Sequence, residues 1–471
     1  MARVERQQIP EPVLELCSEL ERAGHRAWVV GGCIRDVLRG ETVSDWDLAT
    51  SAEPREVMRV FRRTVPTGIQ HGTVTVLWKD GAYEVTTLRG EGAYSDGRRP
   101  DEVRFVRSIE DDLARRDFTV NAIAYDPLSG EVVDPYGGLV DIDGRILRAV
   151  GEAERRFSED GLRILRAARF VATLEFELEP VTEAAIEGAL PTFRKVSAER
   201  VQQEWMKAFK ARTPSRAFEV MRRTGMLEVT MPELLEQVGC EQNHHHAYDV
   251  WKHTMECLDA SPVAKPSIRL AALLHDVGKP RTRARSEKTG EYTFYHHEQL
   301  GADMADRWLK AYRFGNDVRD EVVALVRHHL VCYSAEWTDA AVRRFVKRVE
   351  PSRVPALLSL ARADVRAKGK PVDPELALLD ELEARVAKVA GENAALSTTD
   401  LAIDGGDVMR HLGIAPSRRI GVLLEALLER VLENPQENVA ERLLLLLEQL
   451  HREIPETPAS PRVRKPQGET E

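Results

Sequence analysis

The hydrophobic periodicity of the chain changes once, near Gly151, and this change separates two unlike parts of the fold. Before it, short apolar runs such as 27–32 ("AWVVGG") and 72–78 ("GTVTVLW") lie between Gly, Asp and Pro turns, a pattern typical of strands. After it, apolar residues recur at the spacing of amphipathic helices. The pattern predicts an α+β protein, with a small mixed sheet in the first part and an all-α remainder.

Size, charge and cysteine content narrow the class of protein. The 471 residues are too many for one ordinary core, so we expect several domains. A net charge of -10 argues against a generally basic surface, so any polyanion must bind through local arginine clusters.

Five cysteines without a C-x-x-C pair predict thiols of a reducing cytoplasm. The first residues lack the apolar core of a signal peptide, and no apolar run is long enough to span a bilayer. We therefore expect a cytoplasmic protein with no membrane partner.

Shifts in composition predict five units along the chain. They are a mixed head at 1–150, a helical neck at 151–235, a histidine-rich helical module at 236–370, a further helical segment at 371–453, and a Pro-rich polar tail at 454–471. The composition of the tail is typical of disorder.

The head contains an apolar run that ends at Gly31 and Gly32, followed by a helix-like segment with Arg35 and then by Asp45 and Asp47. Glycine lets backbone amides approach a ligand, and a helix that begins there favours an anion such as a triphosphate. If "DWDLAT" is a strand, both carboxylates point to one face, and the like charges favour a cation between them. Oxygen ligands suit Mg²⁺ bridging to a nucleotide phosphate. The alternative is a solvated turn, but the preceding glycines favour the metal.

Four motifs resemble those of a known family. "GGCIRD" followed by "DWDLAT" resembles the nucleotidyltransferase signature of the polymerase-β superfamily. "RRDFTVNAIAYD" and "EDGLRILRAARF" are similar to motifs of the class II, bacterial-type tRNA nucleotidyltransferase and poly(A) polymerase family, and all four occur in the order of that family. The resemblance implies a polymerase-β-like head, a helical neck, and a body and tail that bind tRNA. It also implies CTP and ATP as partners and Mg²⁺ as cofactor.

The resemblance implies roles for individual residues. Asp45 and Asp47 match the catalytic Mg²⁺ ligands, and Glu84 is a candidate third acidic group, with an exposed strand residue as an equal alternative. Asp117 and Asn121 match positions near the ribose. The positions that match nucleotide contacts are Gly32, Arg35, Arg116, Asp160, Arg163, Arg166 and Arg169.

The segment 159–170, "EDGLRILRAARF", is interpreted as one helix that reads the base. On such a helix Asp160 and Arg163 are one turn apart, so their side chains can lie side by side. A carboxylate accepts from an exocyclic amine and a guanidinium donates to the neighbouring ring acceptor, so the pair would select C and A over G and U without a nucleic-acid template. The alternative is that the arginines of this segment only neutralise nearby acidic groups.

The histidine-rich module carries a second set of candidate metal ligands. The order of histidines and aspartates, centred on "LAALLHDVGKP", resembles the HD phosphohydrolase superfamily and its binuclear members. The candidate ligands are His253, His275, Asp276, His297, His328, His329 and Asp364. Imidazole and carboxylate ligands from several helices suit a transition-metal pair such as Mn, Fe, Co or Ni. The run 244–246, "HHH", is less suited because adjacent helical residues diverge in direction.

Several hypotheses follow for the whole chain. The leading one is a tRNA nucleotidyltransferase that adds or repairs the 3′-terminal CCA. "TGIQHGTVTVLW" resembles the CCA-adding enzymes, and the segment 88–105 resembles the loop of enzymes that switch from C to A. A poly(A) polymerase and an enzyme that adds only CC or only A are alternatives within the family. A metal-dependent phosphohydrolase and a non-catalytic RNA-binding scaffold are alternatives from other classes.

Overall fold

The first part of the chain folds around one mixed sheet. The computed structural model describes residues 4–90, 104–391 and 396–455. The strands are β1 (Ala27–Val30), β2 (Asp47–Thr50), β3 (Thr64–Gly68), β4 (Thr73–Trp78), β5 (Gly81–Thr87), β6 (Ala124–Tyr125) and β7 (Val132–Val133). Their order in the sheet is β3-β4-β5-β2-β1-β6-β7. The β2–β5 pair is parallel and the other pairs are antiparallel.

Five helices accompany this sheet, and a small strand pair joins it to the neck. The helices are α1 (Glu11–Arg22), α2 (Gly32–Leu38), α3 (Pro54–Val60), α4 (Ile109–Ala114) and α5 (Gly138–Gly144). The apolar run 145–150 ("RILRAV") does not join the head sheet. It forms β8 (Ile146–Leu147), which pairs in parallel with β9 (Glu177–Leu178) of the neck.

The remainder is helical, as its periodicity predicts, apart from β9 and the short pair β10 (Ala284–Arg285) and β11 (Tyr292–Thr293). Its helices are α6 (Ala153–Glu159), α7 (Leu162–Leu174), α8 (Pro180–Phe193), α9 (Ala198–Ala208), α10 (Ser215–Arg223), α11 (Met226–Thr230), α12 (Val250–Ala260), α13 (Pro266–Leu274), α14 (Lys279–Thr282), α15 (His297–Ala311), α16 (Asn316–His328), α17 (Asp339–Val349), α18 (Val354–Arg366), α19 (Asp373–Gly391), α20 (Gly405–Leu412), α21 (Arg418–Glu433) and α22 (Ala440–Glu453).

The prediction of one helix over 159–170 is wrong. Helix α6 ends at Glu159, Asp160 is extended (φ -143°, ψ 107°), and α7 begins at Leu162. Between them, Gly161 lies against the end of α8, where a Cβ would be 2.6 Å from the backbone nitrogen of Phe193. The helix is interrupted at this point, where two backbones come into contact. Only glycine, which has no Cβ, permits so close an approach.

Three hydrophobic cores hold the described residues together, one of which surrounds Trp28 of β1 in the head. The largest one is continuous from the head sheet through the neck to the histidine-rich helices. At its centre Trp205 of α9 packs against Phe218 of α10, with ring centroids 5.0 Å apart, and against Trp308 of α15 at 4.7 Å. A smaller core joins α20, α21 and α22. Aromatic packing therefore fixes the neck to the histidine-rich helices.

Two predicted segments lie largely outside the described residues. These are the loop 88–105, of which 91–103 is not described, and the tail 454–471, of which 456–471 is not described. The five predicted unit boundaries stay predictions. Across the described ranges, no helix is long and apolar enough to cross a bilayer.

We expect Trp205→Ala to lower the free energy of unfolding by about 3–5 kcal/mol, because it empties a fully buried aromatic position. Leu445→Ala is the control, since Leu445 is 70% exposed and its loss should cost about 0.5 kcal/mol or less. Urea denaturation followed by circular dichroism measures both. An equal loss of unfolding free energy in the two variants would contradict the role of Trp205 in fixing the neck to the histidine-rich helices.

Candidate active site and second metal centre

An open cavity of about 780 Å³ lies between the head sheet and the first neck helices. Nine basic and six acidic side chains line it, so the cavity suits a polyanion bound together with a cation. The structure brings every residue predicted for the nucleotide site to this cavity. They are Gly32, Arg35, Asp45, Asp47, Glu84, Arg116, Asp117, Asn121, Asp160, Arg163, Arg166 and Arg169.

The glycine turn makes room for an arginine. Gly31 has φ +80° and directly precedes α2, which begins at Gly32. A Cβ on Gly31 would lie 2.7 Å from Nη1 of Arg116. That guanidinium donates to the backbone oxygen of Asn121 at 3.2 Å and to Oδ2 of Asp112 at 3.1 Å. The turn thus allows Arg116 to reach the cavity beside β1.

Three carboxylates are grouped at the sheet. Strand β2 begins at Asp47, so the interpretation of "DWDLAT" as a strand is wrong for its first two residues, and Asp45 lies in the preceding loop. The register of β2 and β5 places Asp47 directly beside Glu84. Burial, Glu84 and Asp45 raise the pKa of Asp47. Within the described residues, Asp45, Asp47 and Glu84 form no ion pair. This excess of negative charge, which Arg116 offsets only in part, fits oxygen coordination of a divalent cation.

Arg35 is buried and held by its neighbours. It donates to Oδ1 and Oδ2 of Asp36 at 2.9 and 2.8 Å and to Oδ1 of Asn121 at 2.7 Å. Its guanidinium lies 5.4 Å from the ring centroid of Phe170. These contacts orient one cation at the wall of the cavity before any ligand binds.

Two arginines of α7 bind carboxylates of other elements. Arg166 donates from Nε to Oδ2 of Asp117 at 2.7 Å, and Arg169 donates from Nε to Oε2 of Glu204 at 2.5 Å. Burial opposes ionisation of Asp117, but Arg166 and Asn121 outweigh it and hold the pKa of that carboxyl well below its usual range. Arg166 and Arg169 are therefore neutralised, as the alternative interpretation supposes. The carboxylates that neutralise them belong to the head (Asp117) and to α9 (Glu204) rather than to the segment 159–170.

Asp160 and Arg163 form no ion pair with each other in the part of the chain that the structure describes, because α6 ends at Glu159 and α7 begins at Leu162, and their joint role in reading the base stays a prediction. Arg163 instead pairs with Glu159, Nη1 to Oε2 at 2.5 Å. Oδ2 of Asp160 accepts from Nη2 of Arg200 at 2.6 Å, and its Oδ1 accepts from the backbone nitrogen of Leu162 at 3.0 Å. Both residues still line the cavity.

Sequence reasoning missed Arg200 and Glu204, which lie one turn apart on α9. Each binds a residue of the segment 159–170, which we call the arginine-rich segment: Arg200 binds Asp160, and Glu204 binds Arg169. The available signal was their spacing of four in "ERVQQE", which places both on one helical face. Nη1 of Arg200 is buried and makes no hydrogen bond with the described residues.

A second cluster of ligand atoms lies among the histidine-rich helices. Two groups of three have all their ligand atoms within 4.8 Å of one another: His253, His275 and Asp364, and Asp276, His297 and His329. Nε2 of His253 lies 3.3 Å from Nε2 of His275, and Nε2 of His297 lies 3.2 Å from Nε2 of His329. The ends of α13 and α16, the start of α15, and α12 and α18 supply these residues.

Backbone contacts orient the four imidazoles. Each Nδ1 faces a carbonyl oxygen: Ala367 for His253, Ala272 for His275, Phe294 for His297 and Val326 for His329, at 2.6 to 3.2 Å. A carbonyl only accepts, so Nδ1 carries the proton in each ring and Nε2 presents a lone pair. Two lone pairs about 3.3 Å apart repel unless a cation lies between them.

Asp276 lies between the two groups. Its side chain is 1% exposed, and neither carboxylate oxygen accepts a hydrogen bond from the described residues, although the Lys279 ammonium lies 2.7 Å from Oδ2. Oδ2 is 3.2 Å from Nε2 of His275 and Oδ1 is 3.5 Å from Nε2 of His297. A buried carboxylate that faces both imidazole groups would suit a ligand of divalent cations held at this cluster.

His328 does not join this cluster, so its prediction as a ligand is not supported by the geometry. It is half-buried, and after burial the charges that lower its pKa are those of Arg348, Arg327 and Arg353. His329 is the next residue but faces the cluster, where burial and His275 lower its pKa to about 3 and keep its ring neutral. Of the run 244–246, His245 and His246 line a cavity of about 410 Å³ beside this cluster, and burial, Lys279 and His253 lower the pKa of His246 to about 3.

We expect Gly31→Ala to weaken nucleotide binding more than Gly24→Ala does. Both glycines have a positive φ, so alanine strains the backbone at either position by roughly 1–3 kcal/mol. Only at Gly31 does the added Cβ displace Arg116, since nothing lies within 4 Å at Gly24. The measurement is the KM for CTP at a temperature where both variants are folded. A rise of the same size in both variants would contradict this account of the turn.

Comparisons with known proteins agree with this architecture. Residues 27–148 match the family described as the Poly A polymerase head domain, 175–237 match the probable RNA and SrmB-binding site of polymerase A, and 243–390 match the HD domain. A 46% identity with the CCA-adding enzyme of Lactobacillus johnsonii extends over 46% of this chain and 54% of that protein, about half its length.

Two longer similarities span the chain. It is 35% identical over 442 residues to the CCA-adding enzyme of Lactobacillus delbrueckii subsp. bulgaricus, which covers 92% of this chain and 96% of that protein. The crystal structure of the Bacillus stearothermophilus CCA-adding enzyme in complex with CTP superimposes with a TM-score of 0.71 at 30% identity, over 94% of this chain and 99% of that one. Since these similarities run through the head, the neck and the histidine-rich helices, the chain belongs to the family of CCA-adding enzymes, which are tRNA nucleotidyltransferases.

Proposed function

We propose that this chain adds or repairs the 3′-terminal CCA of tRNA, using CTP and ATP and releasing pyrophosphate. The observation that carries the proposal is the single cavity in which Asp45, Asp47 and Glu84 face the arginines of the neck. A carboxylate group for a cation and a set of oriented guanidinium groups for a triphosphate are the two requirements of nucleotidyl transfer. The membership in the CCA-adding family supports tRNA as the acceptor.

We assign the divalent cation, Mg²⁺, to Asp45 and Asp47. When bound there, it supplies the positive charge that activates a 3′-hydroxyl and stabilises the leaving pyrophosphate. Arg35 and Arg116 hold the triphosphate, since both guanidinium groups are already oriented by hydrogen bonds to the protein. Orienting these cations beforehand reduces the reorganisation needed when charge moves to the leaving group.

Base choice is proposed to depend on Asp160 together with Arg163. Arg200 orients the Asp160 carboxylate, so that it can accept from the exocyclic amine of C or A. Arg163 donates three of its five N–H groups to Oε2 of Glu159 and to the backbone oxygens of Arg156 and Arg115. Two N–H groups are left for the base. G and U present a carbonyl at the amine position and would leave Asp160 facing another acceptor.

The remaining units are assigned from the same proposal. We propose that the neck, 151–235, and the C-terminal helices, 371–453, bind tRNA by shape and phosphate contacts, and that the protein acts in the cytoplasm. All five cysteines are free thiols, as expected of a protein in a reducing compartment.

A second function is proposed for the histidine cluster, which is the hydrolysis of phosphate esters. The buried Asp276 between two imidazole groups supports a pair of transition metals there, of which Mn, Fe, Co and Ni are candidates. Such a pair, when bound, supplies Lewis acidity for attack of water on phosphorus. Lys279, 2.7 Å from Asp276, adds a positive charge for the phosphate.

We expect Asp45→Ala combined with Asp47→Ala to lower CTP incorporation into tRNA that lacks CCA by ~10³-fold, the scale of losing a principal electrostatic stabiliser. Binding of the tRNA should stay within about 2-fold, because other elements contact it. Asp80→Asn, which changes an exposed carboxylate in the turn between β4 and β5, is the control. Full incorporation by the double variant would overturn the assignment of the metal site.

Asp160→Ala should relax base choice more than it slows the reaction. The ratio of kcat/KM for CTP to that for UTP is expected to fall by about 10-fold or more, because the variant lacks the carboxylate that accepts a hydrogen bond from the exocyclic amine. Glu154→Ala, an exposed carboxylate on the preceding helix, should leave the ratio unchanged. An unchanged ratio in Asp160→Ala would mean that the segment only supports the fold.

Addition of Mn²⁺ or Ni²⁺ to metal-free protein should raise the Tm, because ions that bind only the folded state stabilise it. His275→Ala should abolish the rise, and His328→Ala should retain it, since His328 lies outside the cluster. Calorimetry with metal analysis measures both effects. Equal shifts in the two variants would contradict the proposed ligand set.

A further inference from the structure

One face of the head sheet is covered by helices, and its other face is open along β3, β4 and β5. Val76 of β4 and Val85 of β5 lie in the largest core together with Val57 of α3. Because side chains alternate between the two faces along a strand, the neighbouring residues Thr75 and Glu84 lie on the opposite face. On that face Glu84 is exposed and Thr75 is partly exposed.

A row of paired residues crosses the open face and ends at the carboxylates of the proposed Mg²⁺ site. The register pairs Asp47 of β2 with Glu84, and Glu84 with Thr75. Thr75 in turn pairs with Val65 of β3, which is 42% exposed. Directly paired residues share a face of a sheet, so the row runs without interruption to the edge strand. Three strand spacings of ~4.8 Å separate its ends, about 14 Å in all.

Threonine hydroxyls occupy the open face beside this row. Oγ1 of Thr67 lies 2.7 Å from Oγ1 of Thr75, and Oγ1 of Thr73 lies 3.0 Å from Oγ1 of Thr86. In each pair one hydroxyl donates to the other, which leaves the proton of the second hydroxyl for a ligand. Thr73 and Thr86 also line the cavity between the head and the neck. The hydroxyls therefore extend the donor surface of that cavity toward β3.

Two arginines lie at the outer end of this face. Arg62 and Arg63 directly precede β3, both are exposed, and neither forms an ion pair or a side-chain hydrogen bond with the described residues. The carbonyl oxygen of Arg63 accepts from the Leu77 nitrogen at 2.9 Å, which places Arg63 beside β4. In the cavity, by contrast, arginines such as Arg166 bind carboxylates. Guanidinium groups without an acidic partner suit phosphates that arrive with a ligand.

The position and chemistry of the open face favour an RNA strand as its ligand. The face is continuous with Asp47 and Glu84, where the 3′-hydroxyl of the acceptor has to arrive. The nucleotides that precede this hydroxyl must lie on an adjacent surface, and 14 Å corresponds to about four nucleotides at ~3.4 Å per stacked nucleotide. Hydroxyl and guanidinium groups contact sugar and phosphate oxygens, which hold a strand without reading its bases.

We propose that the open face of β3, β4 and β5 holds the 3′ strand of the acceptor RNA through its phosphates, with Arg63 as the contact farthest from the carboxylates. The proposal rests on the proposed CCA-adding function and assigns a surface to its acceptor. Arg63 is a positioning residue, which lies too far from Asp47 to take part in the chemical step.

The first test removes the positive charge of Arg63 in the full-length protein. Arg63→Gln should raise the KM for tRNA lacking CCA about 3- to 10-fold, while the KM for CTP stays within about 2-fold. The slope of log KM for tRNA against log salt concentration should fall by about 0.9, the value for one lost phosphate contact. Arg55→Gln is the matched control, because Arg55 is an exposed arginine of α3 on the covered face.

The second test does not depend on the Arg63 side chain. Val65→Glu places a negative charge in the row beside the RNA and should raise the KM for tRNA about 5-fold by repulsion of phosphates. Met58→Glu is its control, since Met58 is 38% exposed and belongs to α3. Circular dichroism should show wild-type folding in all four variants.

Filter binding of the same tRNA gives the Kd of each variant without turnover. We expect the Kd to rise in Arg63→Gln and Val65→Glu and to stay within about 2-fold in Arg55→Gln and Met58→Glu. Equal Kd values in test and control variants, as a protein ligand of this face would give, would overturn the proposal. A wild-type protein that binds tRNA but adds no nucleotide would instead refute the CCA-adding function, and the Kd values would still decide the role of the open face.

Discussion

The ion pair between Asp117 and Arg166 connects the two halves of the active site. Asp117 belongs to the head and Arg166 to α7, and their contact of 2.7 Å is largely buried. Removing Arg166 would leave the buried Asp117 carboxylate without its cationic partner, which is costly. The pair therefore sets how α7 approaches the sheet that carries Asp47 and Glu84. Asp117 also binds Asn121, which in turn holds Arg35, so the triphosphate end depends on the same contact.

Helix α9 extends this network to the arginine-rich segment. Glu204 binds Arg169, and Arg200 binds Asp160, so two residues one turn apart fix both ends of the arginine-rich segment. The selectivity of the site is thus a property of three elements rather than of one helix. Trp205, adjacent to Glu204, links the same helix to the core of the histidine-rich helices.

Local features of the site could be predicted from the sequence, and tertiary partners could not. The Gly31–Gly32 turn is a short-range pattern that determines its own geometry, and Asp45 and Asp47 reach the predicted cavity although only Asp47 belongs to a strand. The break at Asp160 was missed because the recurrence of arginines suggests an unbroken helix, whereas the approach of α8 to Gly161 decides it. Arg200 contacts Asp160 across 40 positions, and no periodicity reveals such a contact. His328 and His329 show the same limit, since adjacent side chains face different directions and only packing selects one.

The central claim is that one protein cavity, without a nucleic-acid template, builds a defined trinucleotide. The most direct measurement is the length and sequence of the product that the purified chain makes on tRNA lacking CCA, with CTP and ATP present together. The account predicts addition of C, C and A followed by termination. A long tail of A, a product that stops after CC, or no extension would contradict it.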